Sequence, residues 1–312
     1  MTHEQPQRTL VFAHHADEDH LAHESTLQFA ERVATRTNGA LEIKVVSNNA
    51  LGTIPRVLRD LREGKIDMAL PPHDRLGVHC PKFGCMSLPF VFDNYEHANR
   101  LIDADLSDWT TADLAEIGLI GLSNWDWGFR QITNNKRPIL TPDDMAGLKF
   151  RVPPLPHYEL SMKLLGATPI AVDLPQLVRV LHLGQIDGQE NPISVILALK
   201  LYQFQKYMSL INYSYGGLTH VINKNTFEQL PFIQQQVLRE ESRAAAFTLR
   251  QIMKRSEHTN LELLVQAGMR VDMTDIRPFK AKMKPAIEQL GPQFGIENLN
   301  TFMELVEKHG GS

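Results

Sequence analysis

Apolar and polar positions alternate along this chain in two rhythms, and each predicts its own kind of element. Residues 9–14 read as a strand. Residues 20–37 then carry Leu27, Ala30, Val33 and Ala34 at helical spacing and stop at Asn38-Gly39. Leu41, Ile43 and Val45 alternate with polar residues, which makes 41–46 a strand. Ile54, Val57, Leu58 and Leu61 form the next helical stripe, which ends at Gly64, and 66–70 is a third strand. A β-α-β-α-β opening implies a parallel sheet with right-handed crossovers.

A second run repeats the order: strand 148–152, helix 157–165, strand 168–172, helix 174–183. Gly64-Lys65-Ile66-Asp67 in the first run is echoed by Gly184-Gln185-Ile186-Asp187 in the second, and Leu10-x-Phe12 by Leu148-x-Phe150. The pattern predicts two similar α/β lobes rather than a solenoid. Residues 87–92, 120–123, 129–134, 206–213 and 218–223 read as further strands. Residues 225–268 read as a long helix interrupted at Leu230-Pro231, with Phe232, Val237, Ala244, Phe247 and Ile252 on its apolar side. The expected domains are 8–127 with about 216–255, and 128–215 with about 256–312. Such a hinged clamp binds its ligand between the lobes, beyond the carboxyl ends of the strands.

Composition narrows the function. The chain has 312 residues, 43% hydrophobic and 22% charged, as in an ordinary globular protein. A net charge of −4 argues against nucleic acid, whose phosphates need a basic face. No stretch is apolar enough for a membrane span. The start, from Met1 to Arg8, is polar and lacks a basic region followed by an apolar one, so the protein is either cytoplasmic or begins after a removed signal peptide. Cys80 and Cys85 are spaced for a small disulfide loop or remain two free thiols.

Two arginines stand out. Arg130 lies in Gly128-Phe129-Arg130-Gln131-Ile132, and Arg151 closes Gly147-Leu148-Lys149-Phe150-Arg151 at the carboxyl end of a strand. A half-buried guanidinium needs an anion, and its planar fork matches a carboxylate. For Arg151 the alternative is a salt bridge to Asp143, Asp144 or Asp187. For Arg130, beside Trp125-Asp126-Trp127, it is a pair with Asp126. Asn191, before Pro192, either caps the helix expected over 193–204 or orients a carboxylate at that helix start. His20 and His23 would share a helix face in the histidine-rich stretch 14–24, which allows a metal, though a solvated acidic helix start explains the stretch equally well. Catalytic motifs are missing: no Gly-x-Ser-x-Gly, no His-Glu-x-x-His, no Gly-x-Gly-x-x-Gly and no phosphate loop.

Several segments resemble the solute receptors of tripartite ATP-independent periplasmic (TRAP) transporters, the DctP-type family. They are Phe129-Arg130-Gln131-Ile132-Thr133-Asn134-Asn135, Asp143-Asp144-Met145-Ala146-Gly147-Leu148-Lys149-Phe150-Arg151-Val152-Pro153, Gly166-Ala167-Thr168-Pro169 and Gly184-Gln185-Ile186-Asp187-Gly188-Gln189-Glu190-Asn191-Pro192. The resemblance spans nearly the whole chain. It implies a two-lobed α/β clamp with mixed sheets, hinge strands and a long bracing helix. It implies a periplasmic receptor, its signal peptide removed, that closes on a small organic acid and delivers it to a TRAP permease. It implies that Arg151 forms the main salt bridge to the ligand carboxylate, with Arg130 and Asn191 adding contacts. Departures bear on specificity: Gln176 and Val178 replace a common Glu-x-Tyr pair, Leu174 replaces an aromatic, and His182 replaces a glutamine. The distal wall is expected from His14, His15, His73, Asp74, Trp125, Trp127, Tyr213, Tyr215 and His220, which suits a hydroxy, keto or aromatic acid.

The sequence reading is therefore reversible capture of a carboxylate by a monomer, without cofactor, metal or nucleic acid. The alternatives are an enzyme acting on a small acid through cleft His and Asp residues, and a metal-assisted ligand sensor.

Overall fold

A computed structural model describes residues 7–310; the polar start at residues 1–6 lies outside them. The described strands are β1 (Arg8–Ala13), β2 (Leu41–Val46), β3 (Met68–Ala69), β4 (Leu119–Asn134), β5 (Lys149–Val152), β6 (Thr168–Ala171), β7 (Gly188–Pro192), β8 (Tyr207–Leu210), β9 (Tyr215–Asn223) and β10 (Arg270–Met273). The chain forms two compact units. The first comprises the chain through Gly84, Ile102–Trp127 and Gly217–Lys254; the second comprises Cys85–Leu101, Gly128–Gly216 and the chain from Arg255. Two long elements carry the boundaries: β4, and the 35-residue helix Phe232–Gln266.

In the first unit the strand order is β2-β1-β3-β9-β4. β1 pairs in parallel with β2 and β3, and β3 pairs antiparallel with β9, so the sheet is mixed. The helix Leu21–Arg36 buries Ala22, Phe29 and Val33. Leu27, expected on its buried stripe, is instead largely exposed. His20 caps this helix: its Nδ1 accepts a hydrogen bond from the Ala22 amide at 3.1 Å. Proline near the start of Ile54–Arg62 fixes that helix's first turn, and Leu58 and Leu61 bury its inner face.

In the second unit β7 lies between β4 and β5, β6 flanks β5, and β8 pairs with β4 on one side and β10 on the other. β4 is antiparallel to β7 and β8, while β5 runs parallel to both β7 and β6. Gly188 of β7 cannot carry a side chain, because a Cβ there would stand 2.6 Å from both the Phe150 ring and the Thr133 carbonyl. Leu177, Leu181, Ile186, Ile193, Ile196, Leu201 and Met208 form one apolar core of this unit.

Several expectations need correcting. Residues 85–101, assigned to the first domain, belong to the second unit. The strand expected over 87–92 does not form, because Phe90 sits at φ +56°, outside the extended region. Strands β7 and β10 were not anticipated, and the helix expected over 193–204 is Ile193–Ala198 followed by a short turn at Leu201–Gln203. On the long helix the buried stripe is Val237, Leu238, Ser242, Ala245 and Leu249, whereas Phe232 and Phe247 face solvent. Cys80 and Cys85 are buried thiols rather than a disulfide, each pushed up to about 12 by burial. No helix among the described residues is long and apolar enough to cross a membrane.

Candidate functional site

Parallel strands end at one edge of a sheet, and polar side chains gathered there are the first place to look for a ligand site. In the second unit the strand register makes the gathering explicit. Arg151 of β5 stands beside Gln189 of β7, and Gln189 stands opposite Thr133 of β4. Cross-strand partners point to the same face, so Thr133, Gln189 and Arg151 form one row across three strands. All three are buried, Arg151 to within 1% exposure. The Arg151 Nε donates to the Val172 carbonyl at 2.6 Å, which fixes the plane of the fork and the direction of its outer edge. The acidic neighbours weighed as its partners are engaged elsewhere. Asp144 accepts from the Leu140 and Thr141 amides, Asp187 from the Lys149 amide, and Asp143 meets Lys282.

Arg130 has a different surrounding. Asp126, weighed as its partner, accepts from Arg250 at 3.3 Å. The Arg130 Nε and Nη2 meet the two carboxylate oxygens of Glu190, Nη2 at 2.8 Å. Nη2 also donates to the Glu190 carbonyl at 2.9 Å and to Asn191 Oδ1 at 3.2 Å, and the guanidinium lies 5.2 Å from the Tyr158 ring. The register pairs Arg130 with Pro192 and Ile132 with Glu190, which makes Arg130 and Glu190 diagonal neighbours. Burial, and then the Glu190 charge, push the Tyr213 phenol far above its ordinary range.

This pair sets the polarity of everything beyond it. Arginine only donates, so Asn191 must turn its oxygen toward Arg130 and its amide nitrogen away. Asn191 Nδ2 then donates to Gln189 Oε1 at 2.5 Å, and Gln189 Nε2 to Thr133 Oγ1 at 2.8 Å. The Thr133 hydroxyl donates in turn to Gln205 Oε1 at 2.9 Å. The relay holds Gln189 and Asn191 in single orientations beside Arg151. Asn191 does not serve as a helix cap, because the capping position of Ile193–Ala198 is Pro192.

The first unit gathers histidines. His14 and His15 follow the last residue of β1, and His73 opens a short helix after β3. His15 and His20 pack against Trp127, with ring centroids 4.6 and 4.3 Å away. His14 Nε2 lies 3.0 Å from His23 Nδ1. His20 and His23 therefore do not share a helix face: His20 precedes the helix and spends its Nδ1 on the cap, and His23 turns to His14. Burial pushes His14 down to about 3, further lowered by neighbouring histidines, and His15 and His73 down to about 4, against the opposing pull of Asp74.

The remaining expected residues lie in packed surroundings. Trp125 is fully buried, with its indole nitrogen 2.8 Å from Ser123 Oγ. His220 stacks on Phe12 at 4.2 Å and holds Ser242 Oγ at 2.8 Å from Nδ1. Tyr215 packs edge-on against Phe92 and Phe129 in the second unit, and Leu174 packs against that unit's apolar core. Glu190, Gln189, Thr133 and Gln205 were not singled out from the sequence. The one signal for Gln189 and Glu190 was a run of polar residues after Gly188 with no charged-surface pattern to explain it; Thr133 and Gln205 had none of their own.

Comparison with known proteins identifies the family. Residues 12–292 match bacterial extracellular solute-binding protein, family 7, the DctP family. The chain is 29% identical over 269 residues to the 2,3-diketo-L-gulonate-binding periplasmic protein of Escherichia coli, covering 86% of this chain and 82% of that one. It is 26% identical to the C4-dicarboxylate-binding protein of Bacillus subtilis, covering 89% and 81%. Among solved structures, the sugar acid binding protein of Advenella mimigardefordensis in complex with galactonate superposes with a TM-score of 0.93 at 27% identity, covering 98% of this chain and all of that one. The chain belongs to the bacterial extracellular solute-binding protein family 7 and is a two-domain α/β solute receptor of the TRAP type.

Proposed function

We propose that this protein captures a small organic acid in the periplasm, reversibly and without turnover, and hands it to a TRAP permease. The observation that carries the reading is the buried row at the carboxyl end of β5, with Arg151 tethered by its Nε to Val172 and flanked by the oriented amides of Gln189 and Asn191. The Arg151 fork is the anchor for the carboxylate. One Asn191 amide hydrogen is committed to Gln189, and the second suits a carboxylate oxygen. Arg130 already shares its charge with Glu190, so its part is to orient Asn191 and to add a secondary contact. Trp127, His15, His73 and Asp74 of the first unit supply the contacts that select among acids. Trp125, Leu174 and Tyr215 support from within the packing.

A carboxylate is favoured because its two oxygens accept parallel charge-assisted hydrogen bonds from a planar guanidinium, a match that a neutral solute lacks. Relatives divide over what else the acid carries, from a diketo sugar acid and galactonate to C4-dicarboxylates. Thermal unfolding of the purified chain against a panel of organic acids tests the reading. A bound acid at a hundredfold excess over its dissociation constant stabilises by about 2.7 kcal/mol. Recovery of the acid unchanged is expected, and conversion to a product would favour the enzyme reading.

A further inference from the structure

We propose that Gln205 is a positioning residue for the anion site: acting through Thr133 and Gln189, it fixes the Asn191 amide with its nitrogen, not its oxygen, available to a carboxylate. This deepens the receptor reading above and rests on it.

Gln205, Thr133, Gln189 and Asn191 all lie in the second unit, and all are buried. Gln205 does not adjoin Asn191 in the relay; Gln189 and Thr133 stand between them. Its place is set by the main chain. The Gln205 amide donates to the Leu201 carbonyl at 2.9 Å, and the Lys206 amide donates to the Asn134 carbonyl of β4 at 3.0 Å. The segment is thereby stitched to β4 beside Thr133.

The direction of the Gln205 side chain follows from what it meets. Its Nε2 lies 3.3 Å from the Asp187 carbonyl and 3.2 Å from the Phe204 carbonyl. A carbonyl only accepts, so the amide nitrogen must face these two oxygens and Oε1 must face Thr133. The Thr133 hydroxyl has one proton and gives it to that Oε1. Its lone pairs are then all that it offers Gln189, which turns Gln189 Nε2 toward Thr133 and Oε1 toward Asn191. Asn191 must answer with Nδ2.

Arg130 imposes the same polarity from the other end, because a guanidinium only donates and so claims Asn191 Oδ1. Two fixed ends therefore agree on the direction of every bond between them. Without Gln205 one end is released. The Thr133 hydroxyl can then rotate to donate to Gln189, whose amide can flip and bring Nε2 against Asn191 Nδ2, donor to donor. Either that bond is lost or Asn191 turns its nitrogen on Arg130, and each leaves a buried donor unsatisfied. Asp187 ties the same end to the strand of the anchor: its carboxylate accepts from the Lys149 amide of β5 at 2.9 Å, while its carbonyl accepts from Gln205.

Nuclear magnetic resonance of the purified full chain, labelled at its asparagine and glutamine side chains, reads these orientations without a ligand. The wild type is expected to show one set of Gln189 and Asn191 amide signals, and two exchanging sets would overturn the inference. Gln205→Met and Thr133→Val should shift or split the Asn191 signals; unchanged signals in the folded variants would also overturn it. Calorimetry then reads binding, with whichever of galactonate, glucuronate and succinate most raises the melting temperature of the wild type. Each variant is expected to bind that acid about tenfold or more weakly, the loss of one hydrogen bond to a charged group. Thr133→Ser keeps the hydroxyl and should bind much as the wild type does. The double variant should bind little worse than either single one, because both break one relay, and costs that add in full would overturn the inference. Wild-type affinity in Gln205→Met and Thr133→Val would overturn it too and leave the receptor reading standing. Failure of all the acids to bind the wild type would sink the receptor reading, and this inference with it. If neither variant folds, the wild-type signals decide alone.

Discussion

The two units solve the problem of buried polarity in opposite ways. The second buries full charges and gives them oxygen partners: Arg130 meets the Glu190 carboxylate, and Arg151 donates to the Val172 carbonyl. The first buries titratable rings and keeps them uncharged, with His14, His20 and His220 at about 3 and His15 and His73 at about 4. In the proposed reading the fixed charge fork of the second unit recognises the one group that every organic acid shares.

The sharpest way to break the contrast is to remove a charge from the second unit. Glu190→Ala leaves the Arg130 guanidinium buried without its carboxylate. Breaking a buried pair this way costs about 3–5 kcal/mol, read as a drop in stability in urea. Loss of the Glu190 oxygens also frees Arg130 to swing, so the Asn191–Gln189–Thr133 relay should loosen and ligand affinity should fall together with stability. A variant of unchanged stability would show that the pair is not buried in solution.

Acid sharpens the contrast from the other side. An unfolded histidine titrates near 6.5. In the folded first unit burial depresses the five histidines to about 3 or 4, so the folded state binds fewer protons than the unfolded state between those values and 6.5. Their stabilisation is therefore complete above the unfolded value and is lost as the pH falls through the folded ones. All three tryptophans, Trp109, Trp125 and Trp127, lie in the first unit, so intrinsic fluorescence reports on it selectively. The urea midpoint followed by tryptophan should fall between about pH 7 and about pH 5. A flat midpoint would mean that the rings are solvated.

Smaller effects test the supports. Gly188→Ala forces a methyl against the Phe150 ring and the Thr133 carbonyl and should destabilise by about 1–3 kcal/mol, the usual range for overpacking, measured by thermal melting. Trp125→Phe removes a core indole and its bond to Ser123. Stability should fall by about 1 kcal/mol while ligand affinity barely moves. A large loss of affinity instead would place Trp125 against the ligand.

The alternating strands and striped helices of the first unit were legible in the sequence because their inner faces are apolar: residues 41–46 were read with their observed bounds. β7 was not legible for the same physical reason. Gln189, Glu190 and Asn191 are fully or nearly fully buried, yet none is apolar, because they hydrogen-bond one another, Thr133 and Arg130. A central strand that breaks the hydrophobic pattern is where local rules yield to a site. Arg151 was legible as an arginine at a strand end. Glu190 was hidden, since its link to Arg130 depends on a strand register that no local pattern specifies. The strand read over 87–92 was mistaken because Leu88-Pro89-Phe90 is apolar enough to imitate one, while the backbone turns left-handed at Phe90.

The central claim is that the Arg151 fork holds the carboxylate, and calorimetry on Arg151→Ala with the best-binding acid of the wild type tests it most directly. The account predicts a loss of about 2–5 kcal/mol in binding with the fold intact, and little recovery in Arg151→Lys, whose point charge cannot copy two parallel bonds. Affinity close to that of the wild type in the alanine variant would contradict it.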